Sequence, residues 1–458
     1  MLNRIIFASI FLIFILFSLA MGQIQQAVEI SSSPNPVGSG ARALGMGGAF
    51  IGVADDATAA SWNPAGLIQL ETPEISIAGA YNKRIEDTSY TAFPMASGPQ
   101  DVASCELNYL SAAYPFTIGS TNLIVSLNLQ QLYDFNKKVA YNYNFIDTIA
   151  PVLNLNNTID YSQNGTWMPV SPAFAVQISP RISLGMTFNI WDHGIFDNQW
   201  GSNYNSQGTG TFAGLPFNTK TTVDEKYAMD GLSIDVFNPA HCENINFNLG
   251  MLWEVKNWLT IGVVFKSPFR ARLHHNLDYD STVTFPTFPA SDLHSVIHRS
   301  EMVTLDMPMS YGMGLAFRPK DTLTLDLDVY RTLWSDYVLH DADGNNLNPI
   351  TGKLQKDSNI KDTLQVRLGG EYLIISQKKN IIVPLRAGIF YDPEPADGRP
   401  DHFFGISIGS GIAYKRFVYD IAYQYRFGTD VRSTTVGSED SSQDVDQHTI
   451  YTSVIYHF

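Results

Sequence analysis

The stretch Phe417-Val418-Tyr419-Asp420-Ile421-Ala422-Tyr423-Gln424-Tyr425-Arg426-Phe427 decides the architecture. Phe417, Tyr419, Ile421, Tyr423, Tyr425 and Phe427 fall on one register, and Asp420, Ala422, Gln424 and Arg426 on the other. A period of two means a strand with one apolar face and one polar or small face. The stretch is longer than the usual strand of about five or six residues and matches the roughly 9–11 residues of a tilted transmembrane strand.

The pattern recurs along the chain. Leu123, Val125, Leu127 and Leu129 alternate with Ser126, Asn128 and Gln130; Leu323, Leu325, Leu327 and Val329 alternate with Thr324, Asp326 and Asp328. Met307, Met309, Tyr311, Met313, Leu315 and Phe317 alternate with Ser310, Gly312, Gly314 and Ala316. Strands are expected near 75–81, 105–116, 121–135, 168–178, 181–192, 242–255, 258–272 and 300–317, then near 321–335, 361–375, 382–391, 403–415, 418–427 and 447–458. That makes about fourteen, an even number as in bacterial barrels. Ser179-Pro180, Lys256-Asn257, Arg318-Pro319-Lys320 and Lys415-Arg416 read as tight turns, whereas 136–167, 193–241, 273–299, 336–360 and 428–446 read as long polar loops. Short turns on one side and long loops on the other define a transmembrane antiparallel β-barrel, with both termini on the periplasmic side. A soluble sandwich has no reason to keep that alternation. Ile450, Thr452, Val454, Tyr456 and Phe458 share one face of the last strand, resembling the terminal signature of outer-membrane barrels read by the barrel-assembly machinery. Tyr391, Phe403-Phe404 and Tyr414 suit aromatic girdles facing outer-membrane lipid.

Composition agrees. Charged residues make up 16% of the 458 and aromatics 12%. A net charge of −15 argues against nucleic acid as a partner, since phosphate binding needs excess Lys and Arg. Residues 1–20 read as a signal peptide: basic through Arg4, then apolar from Ile5 to Ala20, with cleavage after Ala20 or Gly22. No later stretch is long and apolar enough for a spanning helix. The export route permits a disulfide between Cys105 and Cys242; two unpaired cysteines are the other reading.

Residues 21–70 are set apart from the barrel, 71–458. Gly38 to Phe50 is small and Gly-rich, Asp55-Asp56-Ala57-Thr58 suits a helix start, and Asn63-Pro64-Ala65-Gly66 is turn chemistry. Small residues permit close backbone packing, so a plug inside the barrel is expected. The run Ala43-Leu44-Gly45 through Ala54-Asp55-Asp56-Ala57-Thr58 to Asn63-Pro64-Ala65-Gly66-Leu67 resembles the N-terminal hatch of the FadL-type outer-membrane transporters of long-chain fatty acids and aromatic hydrocarbons (OMPP1/FadL/TodX). The resemblance continues through Lys361-Asp362-Thr363, Arg367-Leu368-Gly369-Gly370-Glu371-Tyr372, Leu385-Arg386-Ala387-Gly388-Ile389 and Tyr391-Asp392-Pro393. It implies a plugged barrel of about fourteen strands, needing no cofactor, that carries hydrophobic compounds inward and releases them sideways at a kinked strand. Gln131, polar on an apolar register, is a candidate for that kink. A related barrel in a secretion system and a general porin are the alternatives.

Three cations are candidates for substrate binding. Arg367 and Arg386 lie opposite Leu364, Val366, Leu368 and Leu385, Ala387, Ile389. A cation on the lipid face costs about 2–4 kcal/mol near the midplane, so both are expected in the lumen. Arg367 also stands four residues from Glu371, a structural partner. Lys361 is, by the resemblance, placed to pair with a fatty-acid carboxylate.

Other motifs point less far. Gly405-Ile406-Ser407-Ile408-Gly409 matches a nucleophile elbow in letters, but it lies inside an alternating strand. Asp341 to Asn346 lacks the spacing of a calcium loop, and His274, His275, His294 and His298 read as loop histidines. No enzyme is expected.

Overall fold

In the opening stretch the apolar register, Phe417 to Phe427, is turned outward, while Asp420, Ala422, Gln424 and Arg426 are buried on the inner side. Such a strand is stable only where hydrocarbon bathes one face and a packed lumen the other. A computed structural model describes residues 38–91, 94–147, 152–234, 242–432 and 441–458. The signal-peptide expectation, residues 1–20, lies outside the described residues.

The strands, in chain order, begin with β1 (Glu74–Tyr90), β2 (Gly98–Ile118), β3 (Thr121–Gln130), β4 (Tyr133–Asp134), β5 (Lys137–Asp147) and β6 (Leu153–Trp167). Next come β7 (Val170–Ser179), β8 (Ile182–Ile190), β9 (Gln199–Phe212), β10 (Leu215–Met229), β11 (Ile245–Lys256) and β12 (Leu259–Lys266). Then follow β13 (Phe269–Thr284), β14 (Leu293–Met307), β15 (Ser310–Lys320), β16 (Leu323–Thr332), β17 (Val338–His340) and β18 (Asn346–Leu347). The last are β19 (Thr363–Ser376), β20 (Ile381–Tyr391), β21 (Phe404–Tyr414), β22 (Phe417–Arg432) and β23 (Ser441–His457).

Fourteen of these close an antiparallel barrel in the order β1-β2-β3-β7-β8-β11-β12-β15-β16-β19-β20-β21-β22-β23, with β23 paired back to β1. Glu74 faces His457 across that seam, so the start and end of the barrel share one rim. The tight turns lie at that rim; Arg318-Pro319-Lys320 proves to be the bulged end of β15, and the turn itself is Asp321-Thr322.

The opposite rim differs from the expectation of long loops. The segments inserted there form hairpins that assemble into a nine-stranded sheet, β18-β17-β14-β13-β10-β9-β6-β4 with β5 on β6. Two expected strands are therefore each two. The segment 258–272 breaks at Ser267-Pro268 between β12 and β13, and 300–317 breaks at Pro308-Met309 between β14 and β15. Proline cannot donate to a ladder, so it marks the handover between sheets. The register changes there too: Tyr311 and Met313 face lipid, but Met307 is buried in the outer sheet. Where that sheet meets the barrel, Phe135, Trp167, Trp191, Trp200, Tyr227, Phe269 and Trp334 form a dense aromatic core. Phe403, expected in a girdle, is fully buried over the Arg426 guanidinium at 4.0 Å, whereas Phe404 and Tyr414 are exposed as expected. Cys105 and Cys242 are not bridged.

Candidate functional site

Residues 38–70 fill the lumen as a hatch. They form α1 (Ala41–Gly45), α2 (Ala59–Trp62) and a 3₁₀ turn, Pro64–Gln69, nearly every residue being buried. The helices are too short to stand alone. Their stability comes from the wall, where Ala113, Ile124, Ala173, Ala175 and Ala316 pack against Leu44, Met46, Phe50, Trp62 and Leu67. The approach is close enough to need glycine. A Cβ on Gly185 or Gly250 would overlap Pro64, on Gly262 the carbonyl of Ile51, and on Gly369 or Gly388 the backbone of Met46.

Hydrogen bonds fix the hatch all round. Asp328 Oδ2 accepts from the Phe50 and Ile51 amides at 2.7 and 2.9 Å. Thr187 donates to Ala60 O, Ser407 to Gly45 O and Gln424 to Leu44 O. Each hatch motif residue has a part in this. Asn63 donates to Ile51 O and Met251 O and accepts from the Ala65 amide, joining hatch to β11. Pro64 opens the 3₁₀ turn, and Gly66 lies where a side chain would overlap Ala54 O. Asp56 accepts from the amide and hydroxyl of Thr58. Asp55 pairs with Arg42 at 2.7 Å.

Two buried ion networks rise from the hatch. In the lower one, Arg42 and Arg386 both bond Glu371, and Arg386 reaches Asp420 at 2.6 Å. Arg386 is thus committed to wall carboxylates. In the upper one, Arg367 bonds Gly47 O at 2.8 Å and pairs with Asp392 at 3.3 Å. Arg426 bridges Asp392 and Glu394, and Glu394 continues to Arg84, Glu86 and Lys137. Glu371 is therefore the partner of Arg386 and Arg42, not of Arg367. Lys361 is exposed at the outer rim, two residues ahead of β19.

Above the hatch a cavity of about 110 Å³ opens between the upper network and the β2–β3 wall. Leu44, Phe390, Tyr451 and Tyr133 line it with Arg367, Arg426, Asn108 and Gln131. Arg367 lies over the Phe390 ring at 5.0 Å, and its buried Nε has no hydrogen-bond acceptor among the described residues. Beside this cavity the wall is irregular. Between Tyr109 and Leu107 the β1–β2 register skips Asn108, and β3 stops pairing with β2 at Gln130. Gln131 follows, its amide on Asn108 O and its side chain on Glu106. The chain then turns toward Trp167 instead of continuing the barrel.

The decoy motifs resolve into structure. Asp341 and Asn345 close a turn on each other. Each of the four histidines meets a carboxylate, and His275 meets two, Glu225 at 2.8 Å and Glu301 at 3.1 Å. Arg426, Asp392 and Glu394 were not nominated from sequence. Arg426 lies on the polar register of the opening stretch and was legible there; the two acids sit in an irregular segment after β20 that periodicity does not reach.

A lipid-facing barrel whose lumen is filled by its own N-terminal segment defines a plugged outer-membrane transport protein. The family model for outer membrane protein transport proteins (OMPP1/FadL/TodX) matches residues 25–455, and the chain belongs to that family, a non-catalytic family of transporters of hydrophobic molecules. None of the curated proteins matches the sequence. Among solved structures the fold is similar to a FadL homologue of Pseudomonas aeruginosa, with a TM-score of 0.55 at 14% identity over 92% of this chain and 98% of that one. It is also similar to the toluene transporter TodX of Pseudomonas putida, with a TM-score of 0.53 at 10% identity over 93% and 100%.

Proposed function

We propose that the barrel takes up amphipathic hydrophobic molecules with an anionic head, long-chain fatty acids above all, and releases them sideways through the wall. The observation that carries this reading is Arg367, a cation lining a cavity of mixed polar and apolar walls, whose buried Nε has no acceptor among the described residues. A buried guanidinium with a free donor is costly unless an acceptor arrives, and a carboxylate supplies a charge-assisted hydrogen bond. Phe390, Leu44 and Tyr451 would take the first methylenes. A cavity of about 110 Å³ holds a head group rather than a whole chain, so the tail would extend toward Tyr133 and the irregular wall at Asn108 and Gln131. That irregularity supports lateral release, because an apolar molecule gains by passing into lipid instead of water. Lys361, exposed at the rim, would meet the anion first, and Arg386 would keep the hatch in place below it.

A second reading is a neutral aromatic hydrocarbon, the cargo named for TodX. Toluene has no acceptor for Arg367, which favours the acid. Binding of a fatty acid, its methyl ester and toluene to purified protein tests the choice. The acid should bind best, and Arg367→Met should reduce acid binding to the level of the ester. Equal binding of acid and ester by the unaltered protein would reject the head-group role.

A further inference from the structure

Along β2 the face turned to the lumen changes parity once. Ala103, Cys105 and Leu107 are exposed on the outer face, whereas further along it is Ala112 and Tyr114 that are. The change falls at Asn108, which the β1–β2 register skips between Leu107 and Tyr109. A bulge of this kind leaves one residue unpaired and re-aims the side chains beside it. Here two consecutive residues serve the lumen. Tyr109 donates to Ala57 O of the hatch at 2.9 Å, and Asn108 lines the cavity above the hatch.

Asn108 brings an acceptor that the wall leaves unused. Its Oδ1 is buried and has no donor among the described residues. Polar groups near it are engaged: Thr449 donates to Asn82, Arg426 to Gln447 and Gln131 to Glu106. The same cavity holds the opposite deficit, since Arg367 Nε has a proton to donate and no acceptor. A carboxylate answers only Arg367 and sets methylenes against the amide. An unpaired buried acceptor costs more than a hydrogen bond gains, so the cavity discriminates against a ligand that brings no donor. An ammonium would donate, but Arg367 and Arg426 line the cavity and repel a cation. A hydroxyl is neutral and small, and as donor and acceptor at once it pairs with either end of the amide. A cavity of about 110 Å³ holds a head group and little more, so that hydroxyl lies close to the carboxylate.

We propose that the cargo of this cavity is a hydroxy fatty acid, its carboxylate bonded to Arg367 Nε and a hydroxyl near the head bonded to Asn108 Oδ1. The carboxylate half rests on the fatty-acid reading above; the hydroxyl half rests on Asn108 alone. The bulge in β2 then sets specificity, because without it the amide would not reach the lumen.

Titration calorimetry on the purified full-length protein in detergent tests this with palmitic acid, β-hydroxypalmitic acid and the methyl ester of each. The unaltered protein should bind β-hydroxypalmitic acid about tenfold more tightly than palmitic acid, the worth of one buried hydrogen bond. In Asn108→Leu, which is similar in size and lacks the amide, the two acids should bind alike. Arg367→Met should weaken both acids together and keep their ratio. Equal binding of the two acids by the unaltered protein overturns the proposal, and this comparison needs no variant to fold. A preference retained in Asn108→Leu overturns it as well. The esters separate the two readings. Esters that bind as well as the acids and keep the hydroxyl preference reject the carboxylate half and support the amide. Acids that outbind their esters without any hydroxyl preference do the reverse, and binding of none of the ligands rejects both.

Discussion

The Ser407 hydroxyl donates a 2.9 Å hydrogen bond to the carbonyl oxygen of Gly45, a residue 362 positions earlier in the chain. The serine at the centre of an elbow-like motif is therefore a seat for the hatch. Two residues on, a Cβ added at Gly409 would lie 3.0 Å from the Gly45 Cα, so the glycine beside it admits the helix end. Seat and clearance alternate along β21.

Wall glycines should control the plug. Gly250→Val places a branched side chain where Asn63 and Pro64 now lie. Forced overpacking costs typically about 1–3 kcal/mol, and moving the hatch relieves it more cheaply than moving β11. The variant should assemble as a barrel but show higher single-channel conductance in planar bilayers. Conductance equal to the unaltered protein, in a correctly folded sample, would mean that the wall yields instead.

The lower ion network should matter more than its individual hydrogen bonds. Arg386→Ala leaves Glu371 and Asp420 buried, with Arg42 as the remaining cation on Glu371. Breaking a buried pair by removing one partner costs about 3–5 kcal/mol. Denaturant unfolding in detergent should show that loss, while Ser407→Ala should cost about 1 kcal/mol. Equal small losses for both would show that water reaches the network.

His275 predicts a pH dependence for the outer sheet. Burial alone would lower its pKa, but hydrogen bonds and charge from Glu225 and Glu301 outweigh it and hold the value above the ordinary one. A raised folded pKa gives stabilisation that is complete below the unfolded value of about 6.5 and is lost as pH rises through the folded value. Tyr227, stacked on the ring at 4.3 Å and bonded to Glu225, should loosen with it. Hydrogen exchange across 199–307 should quicken on raising the pH through that range, beyond the intrinsic rate, and His275→Gln should flatten the trend. An unchanged trend in the variant would assign it elsewhere.

Topology can be read on intact cells. A tag in the Asp341–Asn345 turn should be labelled from outside, and a tag at Asp321-Thr322 should not. The first site adjoins the outer sheet, and the second lies at the rim shared by Glu74 and His457. The reverse labelling would invert the barrel.

The barrel was legible because the bilayer imposes a strict period: Tyr419, Ile421 and Tyr423 must face hydrocarbon, so the charged Asp420 between them is confined to the opposite, lumen-facing register. The outer sheet was not, because water bathes it and its inner face admits Asn157, Gln163 and His275 among Ile159 and Tyr204, which blurs the alternation. Pro268 and Pro308 carried the missing information. Alternation runs on past them, and only their lack of an amide betrays the change of sheet. Of the candidate site, the hatch motif and the lumen arginines were visible from register and spacing. The assignment of partners was not, because Arg367 reaches Asp392 on a segment with no period at all.

The bonds that seat α1, from Arg367 to Gly47, Ser407 to Gly45 and Gln424 to Leu44, join the beginning of the chain to strands made near its end. The hatch has no floor on that side until the last strands are in place. Contacts of such long sequence separation form late and slowly. β23 pairs with β1 to complete the ring, so the hatch gains its seats on that side only as the wall gains its last strands. The plug is thus seated by the same strands that finish the wall.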